Sequence, residues 1–390
     1  MIRFSTPIRR NLRRNAAAAL LLLGAWGLSV AADGVPPPFQ IVWTRGACPH
    51  CRTAQGFGDV AYAAGKNLWA LGYAAPGEEG SGTGTVLHSR DGGRRWRELG
   101  WTYTYPGAPL VSFASAREGW VAVPDAGGAA PRLMFTRNGS AWQPMPQREL
   151  PTAAIQYLGR GTGFAAVNAN REPPRPAAFY AIRDHGRHWR QEQLPAGRLL
   201  IDQMRFVNAR QGYIAGCLDR QLVSLATADA GRSWLQTQLP APPGNPSGIT
   251  CSLEIDGLLA AGDDEVWLLG VKRSFGIGDT QGDARVWRTA DGGRTWNQIY
   301  RSSQTQDLEH FVSFSGPFAL GARLIVLFKD TGDGKGEALT TADQGQHWTA
   351  APLPRPMAGC VPTHSTTRPA LVCAATTYPG FWLATLTLRD

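Results

Sequence analysis

A tetrapeptide near residue 50 carries the most reactive side chains of the sequence. It reads Cys48-Pro49-His50-Cys51. Two cysteines separated by two residues form a redox dithiol, half of a metal site or a structural disulfide. As a metal site, the cysteines and His50 need a fourth ligand. All three interpretations follow from the residues alone.

The CPHC form also resembles the active motif of exported thiol oxidases, and the resemblance covers these four residues. In the thioredoxin fold the first cysteine begins a helix, which lowers its pKa. Here Gly56 and Gly58 follow soon after, and strand-like runs surround the motif. We therefore predict a structural disulfide, Cys48–Cys51.

Clustered acidic residues offer a second kind of chemistry. Asp330, Asp333 and Glu337 lie in DTGDGKGE, and Asp279 and Asp283 lie in GDTQGD. Carboxylates of this kind bind calcium when they are spaced correctly in a loop. This spacing matches no calcium loop, so we expect solvated hairpins, no metal site and no cofactor.

A recurring octapeptide is the third candidate. The segment 289–296 reads TADGGRTW, and related segments occur five more times. They read SRDGGRRW at 89–96, TRNGSAW at 136–142, IRDHGRHW at 182–189, TADAGRSW at 227–234 and TADQGQHW at 341–348.

The repeat predicts the architecture that must position these side chains. The closing tryptophans are about 45 to 62 residues apart, a period typical of solenoids and propellers. Short runs such as NLWALGY, GWVAV and RLIVLF lie between them, rich in β-branched and aromatic residues and bounded by Gly, Pro, Asn and Asp. Each unit is therefore a four-stranded antiparallel blade of an all-β propeller.

The octapeptide is predicted to form the turn between the third and fourth strands of a blade. Its hydroxyl and Asp side chains can bond to turn backbone, its fifth-position Gly can adopt positive φ, and its Trp can pack between blades. The structural residues are Ser89, Asp91, Gly93, Trp96, Asn138, Trp142, Asp184, Gly186, Trp189, Thr227, Asp229, Gly231, Trp234, Thr289, Asp291, Gly293, Trp296, Thr341, Asp343, Gly345 and Trp348.

These octapeptides resemble the Asp-box, or bacterial neuraminidase repeat, S/T-x-D-x-G-x-T/S-W. Asn138 replaces the Asp in the second copy, and Ile182 replaces the hydroxyl residue in the third. The motif implies a propeller and no particular activity, since the families that carry it include sialidases, sortilin-like receptors, xyloglucan hydrolases and photosystem assembly factors. In these families the box lies on the rim, away from the active or binding face.

Six boxes mark six blades, and the remaining strand-like runs predict a seventh. The C-terminal segment supplies AGCVP, ALVCAA and FWLATLTL, and the N-terminal segment supplies FQIVWTRG. We predict that the N-terminal strand completes the last blade, because closure removes two sheet edges. The alternative is a six-bladed ring with unpaired ends. The predicted strands also place two further disulfides, Cys217–Cys251 and Cys360–Cys373.

The termini and the charge predict the compartment. Residues 1–32 contain five arginines, an apolar run and then small residues, which is typical of a signal peptide. The domain is then 33–390, a single propeller without a stable membrane span. Basic residues number 39 and acidic residues 30, and five of the basic residues lie in 1–32, so the mature charge is near +4. Neither this balance nor any basic run is typical of nucleic-acid binding.

The sequence favours a binding function over catalysis. A sialidase needs three arginines, a Tyr–Glu pair and an acidic Asp, and nothing selects such a set here. The tandem blades resemble the photosystem II assembly and stability factor type of propeller, which occurs as exported proteins in bacteria without photosynthesis. The resemblance implies a monomeric, non-catalytic scaffold, periplasmic or extracellular, that binds a protein partner through the face opposite the boxes. A sialidase-like or other exo-glycosidase is the alternative.

Overall fold

The computed structural model describes residues 37–52, 54–73, 83–99, 103–104, 111–123, 132–146, 152–169, 176–240, 251, 253–272, 284–302, 313–363, 368–375 and 380–389. The predicted signal peptide lies outside these residues, so the domain boundaries stay predictions. No helix within the described ranges is long and apolar enough to span a bilayer.

The fold is a seven-bladed β-propeller of antiparallel sheets, as the sequence predicted. Blades 1 and 2 contain β2 (Gly56–Ala64), β3 (Asn67–Tyr73), β4 (Thr83–Ser89), β5 (Arg97–Glu98), β6 (Tyr103–Thr104), β7 (Val111–Phe113), β8 (Gly119–Val123), β9 (Arg132–Thr136) and β10 (Trp142–Pro144). The short β6 pairs with β4. Blades 3 and 4 contain β11 (Thr152–Gly159), β12 (Thr162–Val167), β13 (Ala178–Arg183), β14 (His188–Glu192), β15 (Leu199–Phe206), β16 (Gly212–Leu218), β17 (Gln221–Thr227) and β18 (Leu235–Gln238).

The remaining blades follow the same order. Blades 5 and 6 contain β19 (Glu254–Ala260), β20 (Val266–Val271), β21 (Ala284–Thr289), β22 (Asn297–Arg301), β23 (Ser313–Leu320), β24 (Leu324–Asp330), β25 (Gly336–Thr341) and β26 (Thr349–Leu353). Blade 7 contains β27 (Met357–Pro362), β28 (Ala370–Ala375), β29 (Phe381–Leu388) and β1 (Phe39–Gly46). A short 3-10 turn, Asp184–Gly186, follows β13.

The N-terminal strand closes the ring. β1 pairs antiparallel with β29 along its whole length, from Phe39 opposite Leu388 to Gly46 opposite Phe381. The closure prediction is therefore confirmed, and the six-bladed alternative is wrong. The pairing is favoured because β1 covers the exposed edge of β29 and itself gains a hydrogen-bonding partner.

The core is divided among the interfaces between blades. The innermost strand of each blade contacts those of its two neighbours, so the seven inner strands form a closed ring. Seven hydrophobic clusters lie between neighbouring blades. The seam between blades 7 and 1, for example, is filled by Phe57, Leu87, Val372 and Leu383. Each blade is therefore stable only when it packs against the next.

Candidate functional site

The octapeptide turns lie at the same end of their blades as the turns between the first and second strands. Backbone hydrogen bonds join the two turns, from Gly92 N to Lys66 O at 2.9 Å in blade 1 and from Gly292 N to Asp264 O at 3.0 Å in blade 5. These turns together form what we call the box face. The connections between the second and third strands, and those between blades, belong to the opposite side, the loop face.

The turn of blade 5 shows how the motif works. Thr289 Oγ1 accepts hydrogen bonds from Gly293 N at 3.0 Å and from Asp291 N at 3.3 Å. The hydroxyl donates to Asp291 Oδ1 at 2.7 Å, and this oxygen also accepts from Thr295 N at 2.9 Å. Thr295 Oγ1 donates to Asp291 Oδ2 at 2.6 Å. The hydroxyl and carboxylate groups of the motif are therefore paired within the turn itself.

The same bonds recur in three other blades. The first-position hydroxyl accepts from the fifth-position N–H at 2.9 Å in each, in the pairs Ser89–Gly93, Thr227–Gly231 and Thr341–Gly345. The hydrogen bonds from the Ser233 hydroxyl and backbone help to lower the pKa of Asp229 to about 2, and those from Thr289 and Thr295 lower the pKa of Asp291 further. Donors that favour the carboxylate produce such depressed values.

The two degenerate copies form modified turns. In blade 2 Asn138 Oδ1 accepts from Ser140 N at 2.9 Å and Ala141 N at 2.8 Å, as the Asp does elsewhere. In blade 3 Ile182 brings no hydroxyl to the turn, and Asp184 and His185 both have positive φ, at 51° and 56°. A side-chain contact of 2.6 Å between Asp184 Oδ2 and His188 Nδ1 spans that turn.

The fifth-position glycines are required by both conformation and packing. Gly93 and Gly231 have φ of 86°, and a Cβ on either would overlap a side chain of the preceding blade, Leu383 or Phe179. The box tryptophans fill the same interfaces. Trp234 meets the Phe179 ring edge to face at 5.2 Å, and Trp348 lies 5.3 Å from the Tyr300 ring of blade 5. The boxes thus join blades.

Little of the loop face falls within the described residues. Residues 74–82, 124–131, 170–175 and 273–283, between the second and third strands of their blades, lie outside them, and so do Asp279 and Asp283. The hairpin after β24 is described, and its acids are engaged. Asp333 accepts from Thr331 Oγ1 and Lys335 N, at 2.5 and 3.1 Å, and Lys329 pairs with Glu337 at 3.0 Å. No group of three or more His, Cys, Asp or Glu residues suited to a metal ion occurs in the described part of the chain.

Polar side chains on the inner strands connect neighbouring blades, which the sequence analysis did not predict. Gln156 of blade 3 donates to Phe206 O at 2.9 Å and accepts from Phe206 N at 2.5 Å. Asp202 of blade 4 accepts from Ile255 N of blade 5 at 3.0 Å. Ser315 of blade 6 donates to Met357 O of blade 7 at 3.1 Å. Alternating polar residues on the first strand of a blade indicate that such side chains are present, but they do not identify the partners.

Two charged residues of the inner strands are placed differently. Arg205 of β15 is exposed to solvent. Asp59 of β2 is half-buried at the seam, where a Cβ on Gly359 of β27 would lie 1.5 Å from its carboxylate. Burial raises the pKa of Asp59 to about 7, opposed by a hydrogen bond from Val60 N. The position of a charged residue on its inner strand therefore determines whether water solvates the charge.

A Tyr–Glu pair of the kind that a sialidase uses is present, but its bonds are structural. Tyr157 OH donates to Glu118 Oε2 at 3.3 Å and accepts from Gly161 N at 3.0 Å. Burial raises the pKa of Tyr157, which is the opposite of what a phenolate nucleophile needs. The pair therefore fastens the first turn of blade 3 to blade 2.

Three disulfides are present: Cys48–Cys51, Cys217–Cys251 and Cys360–Cys373. Cys360 and Cys373 face each other on β27 and β28. Cys217–Cys251 joins blade 4 to the segment before blade 5. Cys48–Cys51 lies in the connection from β1 to β2. Disulfides of this number indicate an oxidising environment.

The box face is electrostatically uneven. Exposed arginines occupy its turns in the first four blades, among them Arg94, Arg137, Arg187 and Arg232. Blade 5 also has an exposed arginine, Arg294, but its first turn carries Asp263, Asp264 and Glu265. Such a distribution steers charged partners without specifying one.

Comparison with known proteins shows the fold alone. No protein-family model matches the chain, and no curated protein matches it. Among solved structures, it is similar to YCF48 bound to D1 peptide, with 16% identity and a TM-score of 0.54 over 93% of this chain and 100% of that one. It is similar to the GH74 xyloglucanase from Xanthomonas campestris, with 14% identity and a TM-score of 0.55 over 88% of this chain and 55% of the enzyme. The chain thus spans about half the length of the xyloglucanase.

A third similarity is to the NanB sialidase from Streptococcus pneumoniae, at 11% identity over 91% of this chain and 71% of the enzyme. Its TM-score of 0.42 is too low to bear on function. YCF48 has a bound peptide and the GH74 protein is a xyloglucanase. Because one fold hosts unrelated functions, these similarities show the fold and do not identify a function.

Proposed function

We propose that this chain is an exported, non-catalytic propeller that binds a protein partner through its loop face. In this proposal residues 1–32 direct export and are then removed, and the octapeptides act as Asp-boxes that hold the scaffold together. In this proposal the rigid blades present the variable loops between the second and third strands, as rigid scaffolds commonly do.

The internal pairing of the box turns carries the proposal. In blades 1, 4, 5 and 6 the motif hydroxyl and carboxylate are engaged with the turn backbone. Using these groups for a ligand would break bonds that the turn needs, and an unsatisfied buried N–H costs on the order of 1–3 kcal/mol. Recognition is therefore better served by the face that the boxes do not occupy.

The similarity to YCF48 supports the same function. That protein has a peptide bound, and the alignment covers its whole length. A chain of this size with one propeller and three disulfides is suited to the same kind of task, the capture of a polypeptide segment by a rigid ring. The three disulfides agree with an exported location.

Paired variants test whether the partner binds through the loop face. One variant shortens the loop-face segments 74–82 and 273–283 to Gly-Ser linkers, and the control replaces box-face charges, Arg94→Ser with Arg187→Ser. Each affinity-tagged mature protein is crosslinked in envelopes, and the captured proteins are quantified by mass spectrometry. We expect the loop variant to reduce capture of the main partner at least about tenfold, or 1.4 kcal/mol, with the control unchanged. Reduced capture of the partner by the control variant alone would refute binding through the loop face.

The same preparation tests for catalysis. Incubation of the mature protein with fluorogenic sialosides and aryl β-glycosides should give no turnover above a heat-denatured sample. Turnover that saturates with substrate would overturn the non-catalytic assignment and favour an exo-glycosidase.

A further inference from the structure

The Cys48–Cys51 bridge differs from the other two disulfides in exposure. Cys360 and Cys373 are buried in a hydrophobic cluster, and Cys217 is buried while its partner Cys251 is half-buried. Cys48 and Cys51 are half-buried, and Pro49 and His50 between them are exposed. Thiol–disulfide exchange requires a thiolate to approach one sulfur directly, so access favours this bridge, whose two cysteines are both half-buried, over Cys217–Cys251, with one half-buried cysteine, and over the buried Cys360–Cys373.

The segment that carries the bridge is held in place without it. On one side Ala47 N donates to Arg94 O and Trp96 N donates to Ala47 O, both at 2.9 Å. On the other side Arg52 N and Ala54 N donate to the Glu98 carboxylate, at 2.6 and 3.1 Å. Four hydrogen bonds therefore fix both ends of the connection to blade 1.

The bridge also adds little as a crosslink. Its cysteines are 3 residues apart in sequence, compared with 34 for Cys217–Cys251 and 13 for Cys360–Cys373. In the chain-entropy account, the stabilisation by a disulfide grows with the length of the loop that it closes. A structural role thus explains this bridge least well of the three.

The reduced form gains a contact that the oxidised form lacks. Cys48 Sγ lies 3.2 Å from the carbonyl oxygen of Trp96, in a geometry that suits an S–H donor. A disulfide sulfur has no proton to donate, whereas a Cys48 thiol would complete this hydrogen bond. Interactions that stabilise the reduced form make a disulfide a stronger oxidant.

We propose that Cys48–Cys51 is an exchange-competent disulfide that oxidises dithiols on exported polypeptides. The Trp96 carbonyl lone pairs repel a thiolate that approaches Cys48, so the incoming thiolate attacks Cys51 Sγ. A mixed disulfide forms on Cys51, the Cys48–Cys51 bond breaks, and the Cys48 thiolate takes a proton from water to become a thiol that donates a hydrogen bond to Trp96 O. The second thiolate of the substrate then attacks the substrate sulfur that is bound to Cys51, so the mixed disulfide breaks and Cys51 is released. The substrate loses two electrons and two protons, and the chain ends with two thiols.

Peptide-level reduction kinetics test the proposal on the native protein. The mature protein is incubated with reduced glutathione, quenched with an alkylating agent at intervals and digested, and the three pairs are quantified by mass spectrometry. We expect Cys48–Cys51 to open at least about tenfold faster than either other bridge, with the first glutathione adduct on Cys51. Equal rates would overturn exchange competence, and a first adduct on Cys48 would overturn the assigned order of attack.

A dithiol probe tests the activity. A synthetic peptide with two cysteines, mixed under nitrogen with the oxidised protein, should become a disulfide with one equivalent of protein reduced. The double variant Cys48→Ser with Cys51→Ser should fold with an unchanged circular dichroism spectrum and lose the transfer. Transfer at the native rate in that variant would refute the assignment, because the remaining bridges would then be responsible.

Discussion

The octapeptide turns of blades 4 to 6 and the seam between blades 7 and 1 are built on opposite principles. Each turn repeats one set of local bonds, with the hydroxyl 2.9 to 3.0 Å from the fifth-position N–H. The closure of the ring at this seam uses unrepeated contacts between distant residues, from the β1–β29 pairing within blade 7 to the contact of Asp59 in blade 1 with Gly359 in blade 7. The hydrogen bonds of each turn are independent of the other blades, whereas the seam depends on closure of the whole ring. Perturbations of the seam should therefore be larger and more global.

The largest effect is expected at the closing strand. Phe39→Ala empties a site where the side chain is 1% exposed and packs among Leu320, Leu371 and Leu386. Removing a buried phenylalanine costs about 3–5 kcal/mol. Urea unfolding followed by tryptophan fluorescence measures the loss.

Val42→Ala on the same strand is the matched control. Val42 is 61% exposed, so its truncation should change the free energy of unfolding by less than about 0.5 kcal/mol. Equal losses in the two variants would mean that the strand contributes through pairing alone, and would contradict the importance assigned to packing at the closure.

A substitution in an octapeptide turn should lower the free energy of unfolding by a smaller amount. Thr289→Val keeps the shape of a side chain that is 1% exposed but removes the acceptor of Gly293 N and Asp291 N. An unsatisfied buried donor costs about 1–3 kcal/mol. Thr227→Val in blade 4 should cost the same amount, because its bonds are the same. Losses that differ severalfold between the two blades would contradict the independence of the turns.

The same contrast explains what the sequence revealed. The blade count and the position of each box could be predicted because Thr289, Asp291, Gly293 and Trp296 act within eight residues, where the pattern is visible. Strand closure was also predictable, since leftover apolar runs at the two ends needed partners. Local periodicity is the strongest signal that a single sequence contains.

The inter-blade polar contacts could not be predicted in this way. Gln156 bonds with Phe206 and Asp202 with Ile255, over separations of 50 and 53 residues. The register between neighbouring blades determines these pairs, and no local pattern encodes that register. Asp59 is another example, since its burial arises only where β2 meets β27. Candidate sites formed by such contacts can be identified only in the folded ring.

Asp59→Asn, a substitution at the seam, should increase the free energy of unfolding of the protein, and only at higher pH. The pKa of Asp59 is raised from 3.8 to about 7 by burial, so the folded state binds more protons than the unfolded state between these values. Stability therefore falls as pH rises through this window. Because the side chain is partly exposed, we expect a gain of about 1–2 kcal/mol for the variant at pH 8 and none below about pH 4. Thermal unfolding across pH measures the difference, and a gain independent of pH would refute the titration.

The smallest effect should come from repairing the degenerate box of blade 2. Asn138 Oδ1 already accepts from Ser140 N and Ala141 N, so Asn138→Asp adds charge to existing bonds without changing the turn. Charge-assisted hydrogen bonds are stronger than neutral ones, but Asn138 is exposed and water screens it, so we expect a gain of about 0.5 kcal/mol. The donors should depress the pKa of the new carboxyl, so the gain is present at neutral pH and is lost as pH falls below its unfolded value near 4. Urea unfolding at pH 7 and pH 3 measures it. A gain that persists at pH 3 would show that the carboxylate charge is not its source, and a loss at pH 7 would show that the second turn does not follow the hydrogen-bonding rule of the others.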